Sequence, residues 1–202
     1  PNGLWPYSGS ERRFCAVTKE WARMGVKVTA LEPEPIAGRH FTSAYAPVTV
    51  PLRDTGIIGQ LLSWTVNAVD LGLAAAEDAR FDLVYATNNN LFNLLSSHLL
   101  ASELSLPCVV VVHHLRWIDY REPAGKWEAG DFDALRFLRA LGQDGASLAT
   151  SICRVAGGRL EAALLPRFDG CVTVSEAVRI QLGGYVPFNR VYTTGDCVSI
   201  SP

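Results

Sequence analysis

Apolar residues recur with two alternating periods along this chain, and glycine, proline or asparagine marks most of the changes between them. Ser8-x-x-Glu11 has the form of a capping box. Phe14, Val17, Trp21 and Met24 then recur on one face until Gly25, which predicts a helix stopped by glycine. Residues 27–31 read as a short strand ended by Glu32-Pro33-Glu34-Pro35, and residues 48–52 as an edge strand, since Pro51 has no N–H to donate. A long helix is expected over residues 57–79, a buried strand over 82–86 and a helix over 90–103. Cys108-Val109-Val110-Val111-Val112 is the β-branched run of a parallel strand covered on both faces. After a Trp- and charge-bearing loop over 115–130, helices are expected at 132–141 and 146–165. A strand at 170–174 precedes a short helix capped by Ser175 and closed by Gly183-Gly184, and a last strand covers 191–194.

Strands alternating with helices of crossover length predict a doubly wound, Rossmann-like, mostly parallel α/β sheet. Ligands of such sheets bind at the carboxyl ends of the strands, which directs attention to residues 8–11, 88–90, 113–117 and 175–176. Composition narrows the class. A chain of 202 residues suits one well-buried core. With 49% apolar and 19% charged residues and a net charge of −2, it has a soluble globular balance and gives no whole-chain argument for nucleic acid. Residues 57–76 are strongly apolar, but Gln60, Ser63, Asn67 and Asp70 form a polar stripe at helical spacing, which predicts a packed amphipathic helix rather than a membrane span. Arg136 and Arg139, beside Leu135, Phe137 and Leu138, read as snorkelling arginines, with an anionic membrane surface as the alternative. The five cysteines (15, 108, 153, 171 and 197) are scattered and show no C-x-x-C spacing. They suggest neither a disulfide framework nor a zinc site, and so a reducing compartment.

Each candidate motif has a chemical and a plainer reading. Ser8-Gly9-Ser10-Glu11 puts a glycine at a helix N-terminus, where free amides can meet an anion; a plain helix start is the alternative. It is neither G-x-G-x-x-G nor a loop with a Walker lysine. His113-His114 leaves an apolar strand at its carboxyl end, so one imidazole can face a cleft for hydrogen bonding or proton transfer. Structural hydrogen bonding is the other reading, and no third ligand stands at metal-binding spacing. Asn88-Asn89-Asn90 can cap the next helix or reach a sugar hydroxyl. Ser175-Glu176 is a capping pair and lacks the glycine-flanked elbow of a hydrolase nucleophile. Trp117, Asp119, Tyr120, Arg121 and Trp127 lie in a loop rich in groups that bind carbohydrate.

Taken in order, these segments resemble the N-terminal domain of family 4 glycosyltransferases, which have the GT-B fold. Pro6-Tyr7-Ser8-Gly9-Ser10-Glu11-Arg12 is similar to the family's P-x-x-G-G-x-E-R opening, and residues 23–31 to its R-x-G-x-x-V-T-x-L. Residues 81–86 resemble its D-V-V-H-A-H strand, and residues 106–113 its I-P-V-V-x-T-x-H strand. Residues 168–176 resemble its A-D-x-V-x-A-V-S-E, and residues 189–198 its E-R-V-x-V-I-x-N-G-V-D. The sequence departs from the pattern at Ser8 (first glycine), Tyr85 (commonly His), Asn88 (often acidic) and Asp196-Cys197 (Asn-Gly).

The resemblance implies a hexosyltransferase of retaining type that moves a sugar from a nucleotide-sugar donor to a glycoconjugate, lipid-linked or other acceptor, without a cofactor or metal and without nucleic acid as partner. Gly9 matches the glycine whose amide approaches the donor diphosphate, with Ser10 beside it, and His113 matches the histidine near the transferred sugar. Asn88, Asn89, His114, Trp117, Ser175 and Glu176 are the expected acceptor or sugar contacts. Residues 1–190 correspond to an acceptor-side domain lacking its first strand, and residues 191–202 to the start of an interdomain linker. The donor-binding domain with its E-x7-E pair is absent from this chain, so the fragment is not expected to turn over alone. The expected location is cytoplasmic, with peripheral contact at the inner membrane face as an option. The rival readings are a stand-alone acceptor- or partner-binding module and a GT-B-like sugar-nucleotide epimerase.

Overall fold

A computed structural model describes residues 9–33, 44–52, 56–115 and 158–194. The expected helices at 132–141 and over the first part of 146–165, and the loop at 116–130, lie outside the described residues. Helix α1 (Gly9–Arg23) ends in a turn at Met24 and Gly25, and Gly25 takes φ +82°, a left-handed backbone that favours glycine. Strand β1 (Thr29–Pro33) starts two residues later than the sequence suggests, beyond the exposed Val26 and Lys27. Strand β2 (Ala46–Val50) starts two residues earlier, where the Ala46 N–H donates to the Val28 carbonyl at 2.9 Å. The two pair in parallel as a two-stranded sheet.

Helix α2 (Gly56–Asp78) follows, then β3 (Val84–Ala86), α3 (Leu91–Leu104) and β4 (Cys108–Val112). Helix α4, described over residues 158–164, runs into a 3-10 turn at Leu165–Arg167. The chain continues through β5 (Gly170–Thr173), α5 (Glu176–Leu182) and β6 (Val191–Thr193). Among the described residues β3, β4, β5 and β6 form, in that order, a four-stranded parallel sheet. Among the described residues each strand is thus parallel to its hydrogen-bonded neighbours, as the α/β alternation requires, but hydrogen bonding divides the strands into two sheets.

Side chains alternate across the larger sheet. Ala86, Cys108, Val110, Val112 and Cys171 join Leu94 and Ala101 of α3, Phe168 after the 3-10 turn, and Val178 and Leu182 of α5 in one core. Tyr85 and Val111 point to the opposite face, where the Trp21 ring of α1 meets Tyr85 edge-on at 4.9 Å between centroids. Helices therefore cover both faces. A second core, Val50, Trp64 and Ala68, lies where α2 packs against β2.

Helices α2 and α3 touch closely: a Cβ on Gly72 would stand 2.6 Å from a Leu100 methyl. The polar stripe of α2 is not a simple solvent face. Ser63 is buried and bonds the Gln60 carbonyl at 3.1 Å, and Asn67 donates to the Pro51 carbonyl at 2.7 Å, whereas Leu62 and Val66 are exposed. The stripe marks a seam with the chain after β2, because each of those groups finds a hydrogen-bond partner there or within its own helix. No helix among the described residues is long and apolar enough to cross a membrane.

Candidate active site at the carboxyl edge of the sheet

The carboxyl ends of β3, β4, β5 and β6 gather most of the expected residues. Strand β3 leads into Thr87-Asn88-Asn89-Asn90, and two of these asparagines shape backbone. Asn88 Oδ1 accepts the Asn90 N–H at 3.0 Å. Asn90 is the N-cap of α3, its Oδ1 accepting the Asn93 N–H at 2.8 Å. Asn89, only 3% exposed, is turned inward. Its Oδ1 accepts the His113 N–H at 3.2 Å, and its Nδ2 donates to the His114 carbonyl at 2.6 Å and to the Glu161 carboxylate. The structure therefore brings Asn89, His113 and His114 together, with Asn89 engaged beneath the edge rather than displayed on it.

His113 is half-buried with its Nε2 inside the fold, while His114 is exposed, as opposite directions along extended backbone require. Leu115 returns to the core at 2% exposure and anchors the exit of β4. Trp117 lies outside the described residues.

At the end of β5, Ser175 caps α5, its Oγ accepting the Val178 N–H at 3.3 Å. Glu176 accepts from Arg179 at 2.9 Å and from the Thr193 hydroxyl at 3.4 Å. These are the contacts of a capping pair, which keep Ser175 and Glu176 at the edge as parts of the scaffold.

Gly9 opens α1, and Ser10 is its second residue. One turn on, Arg13 reaches the Thr194 hydroxyl after β6 and lines a small cleft with Phe14, Val17, Tyr85, Thr87 and Val111. The first turns of α1 thus stand at the same edge as β3, β4 and β6. Burial pushes the Tyr85 phenol above its ordinary pKa, against the opposing pull of the Arg13 guanidinium, so its hydroxyl keeps its proton near neutral pH.

Arg13 and Glu161 also stand at this edge outside the motifs. Arg13 is half-buried and one of five basic residues over 11–27, a stretch whose charge can attract phosphate, and Glu161 shares its helix face with buried Gly158, Leu164 and Leu165. A charged residue on an apolar stripe is seldom buried without a specific partner. Among the described residues no group of three or more His, Cys, Asp or Glu could hold a metal ion.

Comparison with known proteins agrees with this architecture. Among solved structures, HepE of Anabaena, crystallised with UDP and glucose, superposes with a TM-score of 0.54 at 14% identity, covering 93% of this chain and 41% of that one. A UGT transferase from Siraitia grosvenorii, crystallised with UDP, superposes with a TM-score of 0.55 at 11% identity, covering 97% of this chain and 50% of that one. The chain spans half the length of these proteins or less, and at such identities the likeness is one of fold, that of GT-B glycosyltransferases. No curated protein sequence matches. The profile described as a glycosyl transferase 4-like domain matches residues 8–193, and with strands, helices and carboxyl-edge loops in that order the chain belongs to this glycosyltransferase family.

Proposed function

We propose that this chain is the acceptor-side domain of a glycosyltransferase that transfers a hexosyl group, with retention, from a nucleotide-sugar donor to a glycoconjugate or other acceptor. The observation that carries the reading is the meeting of the α1 N-terminus, the Asn88–Asn90 turn and the His113 exit at one carboxyl edge, in a chain whose family match extends over residues 8–193. In this reading the edge faces a second, donor-binding domain, and residues 191–202 begin the connection to it. The free amides around Gly9 and Ser10, with the positive end of the α1 dipole, lie near the donor diphosphate and stabilise the charge that develops as it departs. His113 stands by the transferred sugar and orients it through its imidazole. His114, exposed at the same exit, and Trp117, three residues on in the sequence, offer contacts to the acceptor. Asn88, Asn89, Ser175 and Glu176 form hydrogen bonds within the protein and act mainly by shaping the edge. The chemistry requires no resident metal or organic cofactor.

UDP in both structural neighbours makes UDP-sugars the first donors to test. The protein carrying this chain together with its donor-binding domain should release UDP from at least one UDP-hexose when acceptor is present. The isolated chain of residues 1–202 should release none. Turnover by the isolated chain would contradict the division of labour, and absence of donor binding by the longer protein would contradict the transferase reading.

A further inference from the structure

We infer that Asn89 and Glu161 form a buried positioning clamp for His113, deepening the reading of that site on which it rests. The clamp joins three stretches far apart in sequence: the β3 exit, the β4 exit and α4. Glu161 is 1% exposed and Asn89 3% exposed, so each must satisfy its polar groups inside the protein. The primary amide suits this place, because it offers an acceptor and two donors in one rigid plane. Oδ1 takes the His113 N–H, and the two N–H groups serve the His114 carbonyl and Glu161.

Geometry makes this more than a filled cavity. The β3–β4 ladder ends at Ala86 opposite Val110, and β4 pairs with β5 as far as Val112 opposite Thr173. Beyond those points the His113-His114 backbone leaves the sheet, and the Asn89 side chain holds it on two successive residues. The two ends of an amide have nearly the same shape, so the order of Asn89 Oδ1 and Nδ2 must be set by a neighbour. The His113 N–H only donates and the His114 carbonyl only accepts, so these two set the order, and Glu161, accepting from Nδ2, adds a third contact of the same sense that braces the amide from behind. Glu161 thereby braces the amide, the amide holds the backbone on two residues, and the backbone fixes where the His113 imidazole stands. Neither residue need touch substrate. Both are positioning residues.

Glu161→Gln tests this with almost no change of shape, since glutamine can present either a donor or an acceptor to Asn89. In the chain carrying isotope-labelled histidine, the His113 imidazole resonances should shift or split in E161Q and in Asn89→Ser. Those of His98, which lies on α3 against Phe168, should stay in place and report an intact core. In the two-domain enzyme both variants should lower kcat by roughly 10–100-fold, the scale of a misplaced group, with donor KM within about twofold. Unmoved His113 resonances in two folded variants would overturn the clamp. So would moved resonances with unchanged kcat in an active enzyme, which would make the contact merely structural. A wild-type enzyme that transfers no sugar while the resonances still move would defeat the transferase reading and leave the clamp standing.

Discussion

Burial controls reactivity at Cys108 and Cys171, two residues of neighbouring strands in the main core. Desolvation pushes the Cys108 thiol up to about 12, with Asp169 and Cys171 adding to the shift, and pushes Cys171 up to about 12 against a smaller opposing pull from Arg190. Both thiols are protonated and inert near neutral pH. Cys108 Sγ contacts the Ser97 carbonyl at 3.6 Å, and Cys171 Sγ contacts that of Leu165 at 3.9 Å. Neither thiol should react with iodoacetamide at pH 8 until the chain is unfolded, as peptide mapping of the alkylated sites can show. Their folded pKa values lie above the ordinary thiol value of 9.0, so an unfolded chain releases these protons first as pH rises. The stability due to the protonated thiols is therefore complete below pH 9 and is lost between about 9 and 12. Replacing both by Ala should flatten the fall in urea midpoint over that window; an unchanged slope would contradict the assignment.

Elements are delimited by the groups that end them. Asn90 caps α3, and Ser105 at its other end adopts φ 53°, where its N–H reaches the Ala101 and Ser102 carbonyls. Asn90→Ala should lower stability by about 1 kcal/mol, the usual worth of an N-cap, as read from the urea midpoint with m unchanged. No loss would mean that packing against α2 and β3 alone defines the start of α3. The main helix caps and the β4 run were legible in the sequence because each depends on neighbouring residues: Asn90 on Asn93, Ser175 on Val178, and five consecutive apolar residues on the burial of both sheet faces. The start of β3 was less legible. Asp82 and Leu83 are exposed, and the strand begins only where the Val84 N–H meets the Pro107 carbonyl at 3.0 Å, a partner 23 positions away that no local pattern reveals.

Across the whole molecule, the parallel α/β architecture followed from alternation, and the carboxyl edge followed from the architecture. Which side chains face that edge did not. Asn88, Asn89 and Asn90 are identical in composition and adjacent in sequence, yet one makes a turn, one enters a buried network and one caps a helix. The difference rests on where Glu161 and the His113 backbone stand, and Glu161 is 72 positions from Asn89. The partner of Arg13 is illegible for a similar reason, since Thr194 lies 181 positions away, just after β6. Long-range polar contacts of this kind leave little trace in local periodicity, but a buried charge on an apolar helix stripe points to where one must exist.

The family resemblance, the end of β4 and the proposed clamp converge on His113. On the proposed function, the decisive measurement is the rate of sugar transfer from a UDP-sugar by this chain joined to the proposed donor-binding domain, wild type against His113→Ala, with thermal melting of each. His113→Ala should lower kcat by about 100-fold or more at an unchanged melting temperature, the scale expected for loss of a positioned catalytic group. Equal rates in a folded variant would contradict it and would move the reacting centre away from this edge.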